Sequence, residues 1–292
     1  MEKLVVLVLA AFAITSCVHS PFHGEEEYYF QAMGADSEIV VTVDAEKAKA
    51  NETLGIEENT VTKRAERVSV ALDPKTVDKR DYPLSFDQYN FYGAIEGNYG
   101  KTITNMGLGM SGFEKVKVDG SKFYEGNGIQ VGVPKSGLVV FSSDDYLEAV
   151  ERTVEDRKIM IPYELASEMS SSLASFFVRN PQTMLDLGFD LPITVLLKME
   201  NAVIFINEDG FGFTLNARIE MQDERNAKTL NTVLRNNIVA DLRRRGEKPD
   251  FKELSKLLYN EGKVVYIYNK PITAEEAQVY LDKANGMFGG IV

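Results

Sequence analysis

The chain has 292 residues, of which 44% are apolar and 26% charged, and its formal net charge is −12. That length and composition suit one or two globular domains with a sizeable core. The acidic balance disfavours nucleic acid as a partner, and one cysteine with two histidines leaves little material for thiol, disulfide or imidazole chemistry.

The chain opens MEKLVVLVLAAFAITSC, with Glu2 and Lys3 in a short head and an uncharged apolar run from Leu4 to Ile14. The run is too short to cross ~30 Å of hydrocarbon as a helix, which takes roughly 20 residues, and it fits the apolar core of a secretory signal. It ends in Ile14-Thr15-Ser16-Cys17. This string resembles the lipobox of bacterial lipoproteins: an aliphatic residue, two small residues, then cysteine. The resemblance implies diacylglycerol transfer to the Cys17 thiol, cleavage between Ser16 and Cys17, and acylation of the new amino group. Each buried methylene contributes about 0.8 kcal/mol, so two or three chains make a firm anchor where one would bind reversibly. Residues 1–16 are thus expected to be a signal peptide. By the same resemblance, Val18 in place of an Asp after the cysteine favours the outer membrane.

Residues 17–36 read as a lipidated tether, since VHSPFHGEEEYYF combines Pro21, Gly24 and three glutamates. His19 and His23 stand near Glu25, Glu26 and Glu27, but a flexible leash does not fix ligand geometry, and no metal site is assigned.

Two similar runs of elements follow. SEIVVTVDAEKAKA (Ser37 to Ala50) and SSLASFFVRNPQTMLD (Ser171 to Asp186) each read as a strand, Ile39–Val43 and Leu173–Val178, running into a helix, with Pro181 suited to a first turn. Strand pairs come next, ERVSVALD with QYNFYGAIEGNY in the first run and a hairpin over Glu200–Met221 in the second, turned by Asp209-Gly210. Helices follow. KTITNMGLGM is a weak one; Asp223–Arg245 is strong, with Ala227, Leu230, Val233, Leu234, Ile238 and Leu242 at helical spacing and Gly246 as its stop. Each run closes with strand and helix, capped by Asp144 in the first and by a Thr273–Glu276 capping box in the second. The expected fold is α+β, two similar modules at 37–160 and 161–292, each a mostly antiparallel sheet covered by helices. The boundary falls near Ile159 to Glu168, around Pro162. The alternative is one continuous α+β domain whose elements merely alternate.

Several motifs invite a chemical reading. Gly107, Gly109 and Gly112 spell G-x-G-x-x-G, but a dinucleotide fingerprint needs a strand before it and a helix after it, and here the order is reversed. Ser-His-Asp and Cys-His sites are excluded from the body, which contains neither His nor Cys. A Ser-Lys dyad or a carboxylate pair stays open in principle, yet no nucleophile motif surrounds Ser69, Ser111 or Ser170–Ser172. Arg243, Arg244 and Arg245 suit the C-terminal dipole of the long helix or a local basic patch. Strand faces such as Phe91, Ile95 and Tyr99, or Val265, Ile267 and Tyr268, read as core. No catalytic, cofactor-binding or metal-binding residue is assigned. The expected function is a non-catalytic, membrane-anchored envelope lipoprotein that binds another envelope or host component, with an unidentified protein partner. The alternatives are a carrier or sensor of a small apolar ligand such as a lipid, and a hydrolase without His or Cys.

Overall fold

A computed structural model describes residues 28–33, 37–51, 62–75, 88–155, 157–184, 192–208, 210 and 212–287. Ser16, Cys17, His19, His23 and Asp209 lie outside them. In chain order the main elements are α1 (Tyr29–Met33), β1 (Ile39–Asp44), α2 (Ala45–Ala50), β2 (Ala65–Pro74), β3 (Tyr89–Gly97), α3 (Lys101–Met110), β4 (Glu114–Val118), β5 (Ser121–Gly126), β6 (Ile129–Lys135) and β7 (Leu138–Ser142). They continue with α4 (Tyr146–Val150), α5 (Tyr163–Ser171), β8 (Ala174–Val178), α6 (Ile193–Leu196), β9 (Met199–Glu208), β10 (Phe213–Met221), α7 (Glu224–Arg244), α8 (Phe251–Leu257), β11 (Leu258–Glu261), β12 (Val264–Ile272) and α9 (Ala274–Met287).

The twelve strands form one sheet, in the order β11-β12-β10-β9-β8-β1-β2-β3-β7-β6-β5-β4. This overturns the expectation of two modules with separate sheets. The opening strands of the two halves, β1 and β8, pair with each other antiparallel, from Ile39↔Val178 to Val43↔Ala174. The physical reason lies in their composition. Ile39–Val43 and Ala174–Val178 are buried on both faces. A strand that is apolar on every residue belongs inside a sheet covered on both sides. From this central pair the sheet grows outward in both directions, through β2 and β3 on one side and β9 and β10 on the other. The segment around Pro162, expected as a boundary, leads into α5, which packs on β1 and β8 across the middle.

Helices cover both faces. On the first, α2, α7 and α9 enclose a core of residues such as Val41, Val70, Phe176, Ile204 and Leu230. On the second, α1, α4 and α5 enclose Val40, Ala71, Val140, Phe177 and Val203. The alternation along β1 sends odd residues to one core and even ones to the other.

Tyr29–Met33, assigned to the tether, are not exposed. All five residues of α1 are buried, Phe30 completely. Burying Phe30 and Met33 contributes about 2 kcal/mol each. The Gln31 amide donates to the Ile161 carbonyl at 2.9 Å, and Tyr92 donates its hydroxyl to the Met33 carbonyl at 2.6 Å. Lys135 Nζ at 4.9 Å and the Arg157 guanidinium at 5.4 Å both stand over the Tyr29 ring.

Candidate functional site

The chain leaves β3 at Gly97 and lays α3 over β5 and β6, with no residue of the helix buried. Ile103, Met106 and Met110 fall at i, i+3 and i+7, hence on one side. All three face solvent, Met110 by 83%. Leu108 turns inward and packs on the first core, as does Phe113 beyond the helix.

Beneath α3 the sheet opens. β5 and β6 pair only from Gly126↔Ile129 to Tyr124↔Val131. Past that point Ser121–Phe123 stays with β4, while Gly132 stays with β7 and a bulge precedes Lys135. Pro134 has no N–H to offer β5, so the ladder cannot close there. The gap is a cleft of about 810 Å³. Tyr124 and Val133, from the first core, and Tyr146 and Val150, from the second, all line it. The Tyr146 ring stacks on Phe123 at 4.9 Å. It fits because residue 132 is glycine: a Cβ there would stand 2.6 Å from the Tyr146 hydroxyl oxygen. Burial pushes that hydroxyl well above its usual pKa.

The charged lining of the cleft is Lys101, Lys115, Lys122 and Glu155. Lys101 Nζ donates to the Pro134 carbonyl at 2.8 Å, which holds it at the cleft wall. Lys122 pairs across the hairpin with Lys117.

A smaller cleft, about 140 Å³, lies on the second face and gathers Asp73, Asp144, Asp145, Glu148 and Arg152. Each acid there has a structural task. Asp145 caps α4 by accepting from Leu147 and Glu148 N–H groups. Asp73 and Glu148 hold Arg152 at 3.3 and 2.5 Å, and Asp144 accepts from Asn90 at 3.3 Å. The cap is therefore Asp145, one residue beyond the Asp144 expected.

Among the described residues one carboxyl group is buried outright. Glu96, 1% exposed, projects from β3 into the second core, and neither carboxylate oxygen has a hydrogen-bond partner. Burial raises its pKa from 4.5 to about 8, against the pull of Arg67, whose Nε lies 3.7 Å away. Arg67 also donates to the Ser170 carbonyl at 2.8 Å. Ser175 donates to the Met169 carbonyl at 3.1 Å, and Lys47 reaches the Ser171 carbonyl at 2.5 Å. Three successive carbonyls at the end of α5 are thus taken by side chains from three other elements, the Met169 carbonyl also accepting from Ser172 N–H.

The residues weighed in the sequence are scattered. Gly107 and Gly109 lie within α3, and Gly112 follows it with φ 86°. Ser69 donates to Thr42 at 3.0 Å, Ser111 to the Gly107 carbonyl, and Ser170, Ser171 and Ser172 to carbonyls of their own helix. Arg244 and Arg245 pair with Asp241 at 3.5 and 3.1 Å. Phe91, Ile95 and Tyr99 belong to the first core. Ile267 packs at its margin, whereas Tyr268 is exposed. Sequence reasoning missed the lysine-lined cleft and Glu96. The alternating EKVKVDGSKF carried the lysines, but not their meeting with Lys101.

The architecture is that of a helix-covered, wholly antiparallel sheet, a class with solved examples. Three crystal forms of TP0453 superpose on the chain: form I with a TM-score of 0.55 at 13% identity, form III with 0.57 at 12%, and form IV with 0.58 at 13%. The matches cover 86%, 88% and 86% of this chain and 95%, 99% and 95% of the TP0453 chains. At that identity the likeness establishes the fold. No protein-family model matches the chain, and no curated protein matches it at significance. Among the described residues no helix is long and apolar enough to cross a membrane.

Proposed function

We propose that the chain is a non-catalytic binding protein of the bacterial envelope, anchored through acyl chains on Cys17 and docking a protein partner on the exposed stripe of α3. The observation that carries this reading is the exposed stripe Ile103–Met106–Met110 on a helix of which no residue is buried. Apolar side chains grouped on a surface mark contact sites, and methionine adapts to varied partners. The lipobox supports the anchor, and Val18 supports the outer membrane.

The test is a photo-crosslinking residue at position 106 in the lipidated chain, expressed in its own envelope. A discrete adduct is expected, lost on Ile103→Ser with Met110→Ser while the melting temperature stays within about 1 °C. No adduct, or one that persists in the double variant, would refute the docking face. Cys17→Ser should move the chain out of the membrane fraction.

A second reading, carriage of a small apolar ligand, is favoured by the size of the cleft and by Met106, Val133 and Val150 in its walls. Native mass spectrometry of the purified chain would show a bound mass released by organic solvent.

A further inference from the structure

We propose that the cleft between α3 and the parted strands β5 and β6 binds a phosphorylated organic molecule. The inference concerns the cleft, which shares only Met106 with the exposed stripe of α3, and it does not rest on a protein docking there. Its first support is charge. In a chain of net charge −12, three lysines and one glutamate line this cleft, an excess of two positive charges. A phosphate monoester carries about −1.5 to −2 at neutral pH, which matches that excess. Among the described residues no carboxylate forms an ion pair with Lys101, Lys115, Lys117 or Lys122.

The second support is an arrangement that disfavours the empty site. Lys117 and Lys122 are direct cross-strand partners. Like charges placed so repel each other, and a bound anion relieves the repulsion. The third is the open backbone. Where β5 and β6 part, Lys122 lacks a ladder partner on the β6 side, and its backbone N–H adds to the lysine side chains in holding phosphate oxygens. Asn105 also lines the cleft, and its side-chain amide can donate to phosphate oxygens. The aromatic and aliphatic walls, Tyr124, Tyr146 and Val133, then receive the organic body.

Two sources share this chemistry, a soluble phosphate ester and a phospholipid headgroup, and the experiment separates them. The full chain, purified in a detergent with an uncharged headgroup, is titrated calorimetrically with 1-naphthyl phosphate. In parallel it is floated with phosphatidylcholine vesicles with and without phosphatidic acid, so that binding through the anchor is common to both. Saturable binding of naphthyl phosphate, weakened about tenfold by Lys101→Met and again by Lys122→Met, supports the site with a soluble ligand. Lysine-dependent preference for phosphatidic acid vesicles alone supports it with a headgroup as ligand. Lys115→Met provides an independent reading should either variant lose its fold, and Lys228→Met, on α7, should leave affinity unchanged. Absence of binding to both probes, or binding indifferent to all three cleft lysines, overturns the proposal.

Discussion

Glu96 is the residue whose behaviour departs furthest from its type. Its pKa is about 8 in the folded chain against 4.5 for an ordinary glutamate. Between those values the folded state holds a proton that the unfolded state has released, so stability falls as pH rises through this window. The contribution is fully present below pH 4.5 and lost above about 8. Glu96→Gln should therefore match the parent near pH 4.5 and exceed its melting temperature by roughly 5 °C at pH 8.5. A thermal melt series in which both proteins keep parallel pH profiles would contradict this. Gly132 makes a steric prediction. Gly132→Val drives Tyr146 off its seat, at a cost of about 2 kcal/mol by denaturant titration, whereas Gly107→Ala, with open space around its position, should not displace a neighbour. Neither Glu96 nor Gly132 was legible in the sequence. A lone Glu in AIEGNY and a Gly in QVGVPK look like ordinary strand residues, and their surroundings come from α4 and β2, far along the chain.

At the scale of elements, sequence and structure agree where local chemistry decides. Thr273 and Glu276 exchange the two hydrogen bonds of a capping box, at 3.1 and 2.8 Å. Asp223 caps α7 by accepting from Asn226 N–H, and Gly246 ends it with φ 79°. Thr273→Ala should cost about 1 kcal/mol, visible as faster amide exchange confined to the first turn of α9. They part where one signal covers two elements. FEKVKVDGSKFYE alternates throughout and reads as one strand, but Asp119 and Gly120, both at positive φ, fold it into the β4–β5 hairpin. Likewise LYNEGKVVYIYNKP reads as one strand and forms the β11–β12 hairpin, turned at Gly262 with φ 53°. The helix expected after Pro181 is a single 3-10 turn, Pro181–Met184. The cleft escaped notice for a related reason: a parted pair of strands is defined by hydrogen bonds that are missing, which no residue type announces.

For the whole molecule, the continuous sheet sets cooperativity. Two modules with separate cores would melt apart; a ladder through β1 and β8 joins every strand to one unit. Calorimetry should show a single transition whose calorimetric and van't Hoff enthalpies agree, and Phe176→Ala, in the first core beside that seam, should lower it as one peak. Two resolved peaks would show that the halves unfold separately. The clue to the single sheet stood in the sequence. Both opening strands are apolar on every position or nearly so, which is the mark of a central strand, and each therefore needed neighbours on both edges.

The seating of α1 has a consequence for where the cleft can work. Tyr29 touches Lys135, the residue after Pro134 in the cleft wall. The root of the tether and the cleft are thus neighbours on the same corner of the protein. Eleven peptide steps separate Cys17 from Tyr28, a reach of at most about 40 Å even fully extended. Were Cys17 acylated as proposed, the cleft would be confined to a thin layer over the bilayer. A ligand displayed on that membrane meets it at the millimolar effective concentrations typical of short tethers, so an intrinsic affinity too weak to matter in bulk solution would suffice there.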